Sequence, residues 1–328
     1  MPKLHRRALL GATAGLMAAP LAAPRLAHAA WPDRPIRLMI PYGGGGQTDV
    51  VARIVADAMS RNLGQAITPD NRPGAAGVVA ADAVVRSPAD GYTILVGTRN
   101  TQAINEALRP NLPFAHARDL VTIGLYATTP NILLIHSSVP AQNLAEFIAH
   151  ARANPGRLNY ASSGIGATTH LSMELLSEKA GIELVHVPYR QSTQGMTDLL
   201  GGRVQARLVG LPEAEPVRGE AAIRALGVTT PRRSPNWPDV PAIGEVVEGY
   251  EAVNLFGLMA HSATPPEIVL RLNRSLNEAL ASEELRAAFA RVGADPAPAN
   301  TPEQAEDRAL AQANLWVPMI RRLNLSAQ

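Results

Sequence analysis

Two stretches in different halves of the chain repeat one arrangement: an apolar strand-like run, a loop of glycine and small polar residues, then the start of an amphipathic helix. In the first, IRLMI (36–40) leads through PYGGGG (41–46) into QTDVVARIVADAMSRNL; in the second, LNYAS (158–162) leads through SGIGA (163–167) into TTHLSMELLSEKA. A chain that alternates strand and helix in this way closes as parallel α/β layers, with its loops at the carboxyl ends of the strands. Other segments extend the pattern. Ile67 marks a short second strand, VVAADAVVRS a helix that ends before Pro88, and YTILVGT a buried strand. Helices over Leu144–Ala153 and Met196–Leu200 and strands in LVHVPY, VQARLVG and RALGVTT follow. The β-rich stretch LVTIGLYATTPNILLIHSS (120–138) is too long for one ordinary strand, so it is read as a crossing between domains, and EAVNLFGLMA (251–260) as the return. Helices over Pro266–Leu280, Glu283–Val292 and Thr301–Leu323 close the chain. The expectation is two Rossmann-like α/β domains joined by two crossing strands with a ligand cleft between them. Domain I spans 30–126 plus 252–328, with the C-terminal helices, and domain II spans 127–251.

The first 29 residues stand apart from this pattern. Lys3, Arg6 and Arg7 precede a short Ala/Leu/Gly run broken by Pro20, and Ala27-His28-Ala29 fits the small-residue rule for signal cleavage. This predicts an exported, periplasmic protein cleaved near Ala29. Arg6-Arg7 followed by Ala8-Leu9-Leu10 resembles a twin-arginine signal, and both that route and the general one stay open. The signal also carries the positive charge. Residues 1–29 hold four Lys/Arg and no Asp/Glu, so removing them leaves 26 basic against 28 acidic residues. A mature chain so balanced gives no electrostatic reason to bind nucleic acid. The sequence has no cysteine, which excludes disulfides, thiolate metal sites and a cysteine nucleophile.

The glycine loops invite a phosphate reading, which the residues refuse. A P-loop ends in Lys-Ser/Thr because the ammonium neutralises phosphate charge, whereas this loop ends Gln47-Thr48-Asp49. The dinucleotide pattern needs glycine at position 48 or 49, and Asp49 would repel a pyrophosphate. What the glycines permit is close approach of backbone amides to an anion at the positive end of a helix. Two such ends facing one cleft, with neither lysine nor arginine inside either loop, suit a carboxylate better than a polyphosphate. Ser162, Ser163 and His170 lack the G-x-S-x-G turn that presents a serine nucleophile, so a secreted hydrolase is the less favoured alternative. His170 and Glu174, four apart, lack an identifiable third metal ligand. No catalytic residue, metal or cofactor is expected.

At this point the motifs converge. WPDRPIRLMIPYGGGGQTDVVAR, NRPGAAG, DGYTILVGT, NPGRLNYASSGIGATTHLSMELL, HVPYRQSTQGMTDLLGGRV, RALGVTTPRRSPNWPDVPAIGEVVEGYE and ATPPEIVLRLNRSLNEAL together resemble the Bug/TctC family, the extracytoplasmic solute receptors of tripartite tricarboxylate transport. The resemblance covers essentially the whole mature chain. It implies a type II-like periplasmic binding protein that closes on a small carboxylate, acts as a monomer, and delivers its ligand to membrane permease components. Its implied contacts fall on Tyr42, Gly45, Gly46, Thr48 and Asp49, and on Ser162, Ser163, Gly166 and Thr168. Gln47 and Ala167 in the same loops, Thr98 and Arg99 after the third strand, and Tyr189 and Gln191 after LVHVP complete the expected set. A periplasmic sensor using the same clamp is the alternative.

Three departures from the family pattern bear on the ligand. The first loop has Tyr42-Gly43-Gly44 where Phe-Pro-Pro is common, the second-domain Tyr-Lys-Gly becomes Tyr189-Arg190-Gln191, and Arg99 stands where small residues are usual. If Arg99 points into the cleft, it adds a bidentate carboxylate contact and favours a di-acid.

Overall fold

The computed structural model describes residues 31–109, 111–112, 115–190 and 192–326. The expected export signal and Gln191 lie outside the described residues. The chain runs β1 (Ile36–Ile40), α1 (Gln47–Leu63), β2 (Ile67–Asn71), α2 (Val78–Val85), β3 (Thr93–Val96), α3 (Arg99–Leu108), α4 (His116–Asp119) and β4 (Leu120–Thr129). It continues through β5 (Asn131–His136), α5 (Leu144–Ala153), β6 (Asn159–Ser162), α6 (Thr168–Ala180), β7 (Val185–Pro188), α7 (Ser192–Leu200), β8 (Ala206–Gly210), α8 (Leu211–Ala214) and β9 (Ile223–Val228). Then β10 (Asn254–His261), α9 (Pro266–Ala281), α10 (Glu283–Arg291), β11 (Asp295–Pro296) and α11 (Pro302–Arg322) complete it.

These strands form two sheets, ordered β11-β4-β10-β3-β1-β2 and β7-β6-β8-β5-β9. In each, the strand that precedes a glycine loop is an inner strand beside the sheet edge. β1 pairs parallel with β2 and β3, and β6 pairs parallel with β7 and β8. Ile36, Leu38 and Ile40 are fully buried, as expected of a strand covered on both faces. α1 lays Val51, Ala52, Val55, Ala58 and Met59 inward and stops at Gly64, whose φ of 68° is left-handed and whose N–H donates to the Ser60 carbonyl.

The chain changes sheet at Pro130. β4 pairs with β10 in the first sheet through Thr129, and β5 pairs with β8 and β9 in the second from Asn131. The return runs from β9 to β10. The long β-rich stretch is thus two strands in different sheets, as its length implied. The sheets share apolar packing as well. One buried cluster joins Leu133, Tyr160, Leu171, Leu176 and Leu208 of the second sheet and its helices to Ile104 and Leu108 of α3 and Trp316, Met319 and Ile320 of α11. Thr301, an N-cap by residue type, forms a capping box with Gln304, its Oγ1 accepting from Gln304 N at 3.2 Å and its own N–H donating to Gln304 Oε1 at 3.0 Å.

The sequence reading carried no helix over 99–108, and that element proves central. Its start is fixed by a reciprocal cap: Thr98 N donates to Thr101 Oγ1 at 3.0 Å and Thr101 N to Thr98 Oγ1 at 3.3 Å. Its only large apolar residues are Ile104 and Leu108, so the stretch reads as polar until both sheets supply its surroundings.

β10 is pressed between β4 and β3 at Gly257. A Cβ there would stand 2.9 Å from the Gly124 carbonyl oxygen and 3.1 Å from that of Gly97, both backbone atoms that have little room to move. Gly257→Ala should therefore destabilise the fold by roughly 1–3 kcal/mol, read as a lower urea midpoint with an unchanged m-value.

Candidate functional site

The carboxyl ends of β1, β3 and β6 open into two adjoining cavities. One, of about 580 Å³, is walled by Pro41 and Tyr42, by Thr101, Gln102 and Asn105 of α3, and by Asn254–Gly257 of β10. The other, of about 550 Å³, is walled by Gly46 and Gln47 on one side and by Ser163, Ala167, Thr169, Arg190, Gly210 and Glu213 on the other. Tyr42, Gln47, Thr48 and Thr168 line both. The mixture of apolar wall with a few polar groups matches sites for small organic molecules.

Both glycine loops deliver a helix start to this space. Gly46 is the N-cap of α1 and Ala167 that of α6, and neither helix has a side-chain cap. First-turn amides have no intrahelical partner; the Gln47 amide of α1 meets the Glu213 carboxylate, and the remaining first-turn N–H groups, with the two positive dipole ends, are what these helix starts offer to the second cavity. In the first loop the Gly45 amide is already engaged, as are most amides of the second. Gly45 N donates to Asp49 Oδ2 at 2.9 Å, Gly164 N to Ser162 Oγ at 3.1 Å, Ser163 N to Thr169 Oγ1 at 3.1 Å and Gly166 N to His170 Nδ1 at 3.1 Å. The Gly45 and Gly166 amides, both in the expected contact set, are therefore taken up within their own loops.

Seven of the expected residues line these cavities: Tyr42, Gly46, Gln47, Thr48, Ser163, Ala167 and Thr168. Others support the walls from behind. Burial opposes ionisation of the Asp49 carboxyl, but hydrogen bonds from Arg53, Gly45 and Asn71 outweigh it and hold the group below the ordinary carboxylate range. Thr98 caps α3. Tyr189 donates to Asp198 Oδ2 at 2.8 Å, and burial with that hydrogen bond pushes its phenol up to about 12. Its neighbour Arg190, not Tyr189, reaches the cavity wall. The di-acid contact expected of Arg99 is also corrected. Arg99 is buried and pairs with Glu306, which holds Thr122 as well, while its Nη2 donates to the Leu120 carbonyl at 3.3 Å. Its guanidinium serves the packing of α3 against α11.

Gln47 does more than the sequence suggested. Its Nε2 donates to the Pro130 carbonyl at 3.2 Å, its Oε1 accepts from Asn254 Nδ2 at 3.0 Å, and its backbone N–H faces Glu213 Oε1 at 3.3 Å. A Cβ on Gly210 would lie 2.3 Å from Gln47 Cδ, so only glycine lets this amide lie against the end of β8. Glu213 in turn binds Arg207, which is 1% exposed, at 2.9 Å. The negative group on the cavity wall thus has an internal counter-charge.

Ser162 does meet a histidine, though not the expected one. Its Oγ lies 2.5 Å from His186 Nε2, but Ser162 is 1% exposed and His186 is stacked on His170 with ring centroids 4.0 Å apart. A serine so enclosed has no route to a substrate. His170 and Glu174, at 3.8 Å, belong to the same packing, with Glu174 Oε1 accepting from Tyr160 OH at 2.5 Å.

Comparison with known proteins gives the family and the fold. The model for the tripartite tricarboxylate transporter family receptor matches residues 51–325. The chain belongs to that family. Among similar solved structures is R. palustris Rpa4515 with adipate, 35% identical, TM-score 0.84, over 89% of this chain and 97% of that one. Periplasmic binding protein BugD is 28% identical, TM-score 0.83, over 91% and 100%. MatC from Rhodopseudomonas palustris with bound malate is 28% identical, TM-score 0.79, over 88% and 100%. The fold is thus that of the Bug-type periplasmic binding proteins, and the family is one of receptors for solutes, not of enzymes.

The stacked histidines under the second loop carry a pH signature. Burial pushes His170 down to about 3, with His186 adding to the effect, and burial pushes His186 down to about 4. Between the ordinary histidine value near 6.5 and these lowered values, the unfolded chain takes up protons that the folded one refuses, so stability is complete above pH 6.5 and is lost as pH falls toward 4. Urea midpoints should decline across that window, and a His170→Gln/His186→Gln double variant should decline less steeply.

Proposed function

We propose that this receptor captures a small organic acid, most simply a dicarboxylate, in the periplasm, and that the two sheets close on it as a single chain before delivery to the permease components of a tripartite tricarboxylate-type transporter. The observation that carries the reading is the pair of uncapped helix starts, at Gly46 and Ala167, facing one cavity. An anion between them gains from two dipole ends and from first-turn amides without desolvating a dedicated cation. The family supports the receptor role, and the adipate and malate held by two of its similar structures support the ligand class. Sheet crossings confined to the neighbourhood of Pro130 and to the β9–β10 return support closure by hinge bending, which needs few connections between moving parts.

Closure makes affinity a difference between states: the ligand favours the closed arrangement only by as much as it binds it better than the open one. Reversible capture follows from a grip made mainly of amides and hydroxyls, with the Asp49 and Glu213 carboxylates held by Arg53 and Arg207.

Thermal unfolding of the protein with C4–C8 dicarboxylates and malate, against the matching diols, tests the ligand class. An acid that binds should raise the melting temperature, by the equivalent of about 2.7 kcal/mol at a hundred times its Kd, while the diols leave it unchanged. Ala167→Asp, whose backbone already has the extended geometry of an N-cap, places a competing carboxylate on the α6 amides and should weaken acid binding about tenfold or more with folding retained. Equal shifts from acids and diols, or none from any acid, would overturn the reading.

A further inference from the structure

The two cavities differ in charge. The second has Arg190 and Glu213 in its wall, whereas among the described residues none that lines the larger one carries a formal charge. Leu95, Val96 and Phe256 give the larger cavity apolar surface, and its polar side chains are hydroxyls and carboxamides. Such a wall suits an uncharged part of a ligand.

Gln102 of α3 lines this cavity and is only 4% exposed, yet its Oε1 has no hydrogen-bond partner. The neighbouring residue fixes which way its carboxamide faces. The Thr101 hydroxyl donates to the Thr98 carbonyl at 2.8 Å, so toward Gln102 it only accepts, and Gln102 Nε2 meets it at 3.5 Å. That leaves the acceptor over. A buried polar atom without a partner costs its desolvation, and a carbonyl oxygen is answered only by a donor, which a carboxylate lacks. The terminal torsion of a glutamine is broad and soft, and the one hydrogen bond that turning it would loosen is already at the limit for such bonds. Oε1 is therefore able to swing to a donor in the cavity.

Tyr42 supplies the complement. It lines both cavities, and its hydroxyl forms no hydrogen bond with any described residue. Burial pushes the phenol up to about 12, against the opposing charge of Arg109, so it keeps its proton and remains a donor. An alcohol answers both groups, its oxygen accepting from Tyr42 while its proton goes to Gln102. An ammonium would also donate to Gln102, but among the described residues no carboxylate lines the larger cavity to balance its charge.

We propose that Gln102, with Tyr42 as the second contact, is the specificity-determining residue that recognises a hydroxyl on the ligand, so that the receptor selects hydroxy acids over the same acids without the hydroxyl. This rests on the organic-acid reading and names the class of acid. The carboxylate end stays at the helix starts in the second cavity, and the carbon that bears the hydroxyl reaches into the larger one.

Calorimetric titration of the protein with succinate, glutarate and adipate, with their hydroxy derivatives (malate for succinate) and with the methyl ethers of those derivatives, measures the selection directly. The best hydroxy acid should bind at least about tenfold more tightly than its parent, and its methyl ether, which accepts but does not donate, should fall to the parent's level or below. Gln102→Met, close in shape and without the carbonyl, should bring hydroxy acid and parent to within about threefold of each other. Its melting temperature without ligand should be unchanged or higher, because an unpaired buried polar group has been removed. Gln102→Glu keeps an acceptor and should retain the preference while binding every acid more weakly. A purely structural Gln102 would instead lower the melting temperature in both variants and weaken hydroxy and parent acids alike. Equal affinity of the wild type for every hydroxy acid and its parent, or a preference that survives Gln102→Met, overturns this proposal and leaves the organic-acid reading standing. A wild type that binds none of these acids sinks that reading itself.

Discussion

Where the chain passes between its sheets, four buried groups share one hydrogen-bond cluster, and the rest of the site is arranged around it. Asn254 Nδ2 donates to Asn131 Oδ1 at 2.9 Å and to Gln47 Oε1 at 3.0 Å, and Gln47 Nε2 reaches the carbonyl of Pro130. Asn131 N donates to Thr229 Oγ1 and Thr229 N to the Asn131 carbonyl, both at 2.9 Å. The outward crossing, the return crossing and the first residue of α1 are thus tied at one buried point. A buried amide that loses its partner costs more than the bond it made. Bending at the crossing therefore favours moving these groups together over separating them. Because Gln47 also lines both cavities, the state of the crossing and the position of the α1 start are set by the same side chain.

That arrangement explains why the site is poor in free formal charge. Asp49 is spent on Arg53, Asn71 and the Gly45 amide, Glu213 on Arg207, and Glu306 on Arg99 and Thr122. Each ion pair fixes a wall, and the attraction for an acid is left mainly to backbone dipoles. Dipoles fixed by folding do not reorganise when the ligand arrives, so little of their effect is lost to ordering the site. The stacked His170 and His186 belong to the same economy. Neutral imidazoles accept from the Gly166 amide and meet the Ser162 hydroxyl, holding the second loop without a charge that a nearby acid would seek.

The parts of the fold that announce themselves in the sequence are those with local causes. The strands beside the glycine loops, the stop at Gly64, the cap at Thr301 and the double-length β stretch around Pro130 all follow from residue pattern or backbone permissiveness, as do the two helix starts. The Ser163 and Thr168 wall follows from the same loop. What stayed hidden depends on contacts distant in sequence. Arg99 reads as an available cation because its partner Glu306 arrives from α11. Tyr189 reads as an aromatic wall because Asp198, which takes its hydroxyl, lies on the following helix. α3 reads as irregular because its apolar pair, Ile104 and Leu108, packs into a core made mostly by the other sheet. The one available signal was the Thr98-x-x-Thr101 spacing, which needs the preceding strand before it counts as a cap.

The apolar contact between the halves has a consequence for binding. Gly166, at φ +82°, lies so close to α3 that a Cβ there would stand 2.1 Å from Leu108 Cδ1, and Ile104 and Leu108 share their cluster with Leu171 and Tyr160. Burial of that surface stabilises the arrangement seen here whether or not a ligand is present. On the closure proposed above, with this arrangement as the closed state, the affinity is the intrinsic affinity scaled by the fraction of molecules already closed, so this contact raises affinity for every ligand equally and discriminates among none. Discrimination has to come from groups that meet the ligand itself. In the larger cavity those are the polar residues on the same helix that supplies Leu108, so the element that biases closure is also the one placed to judge what has been enclosed.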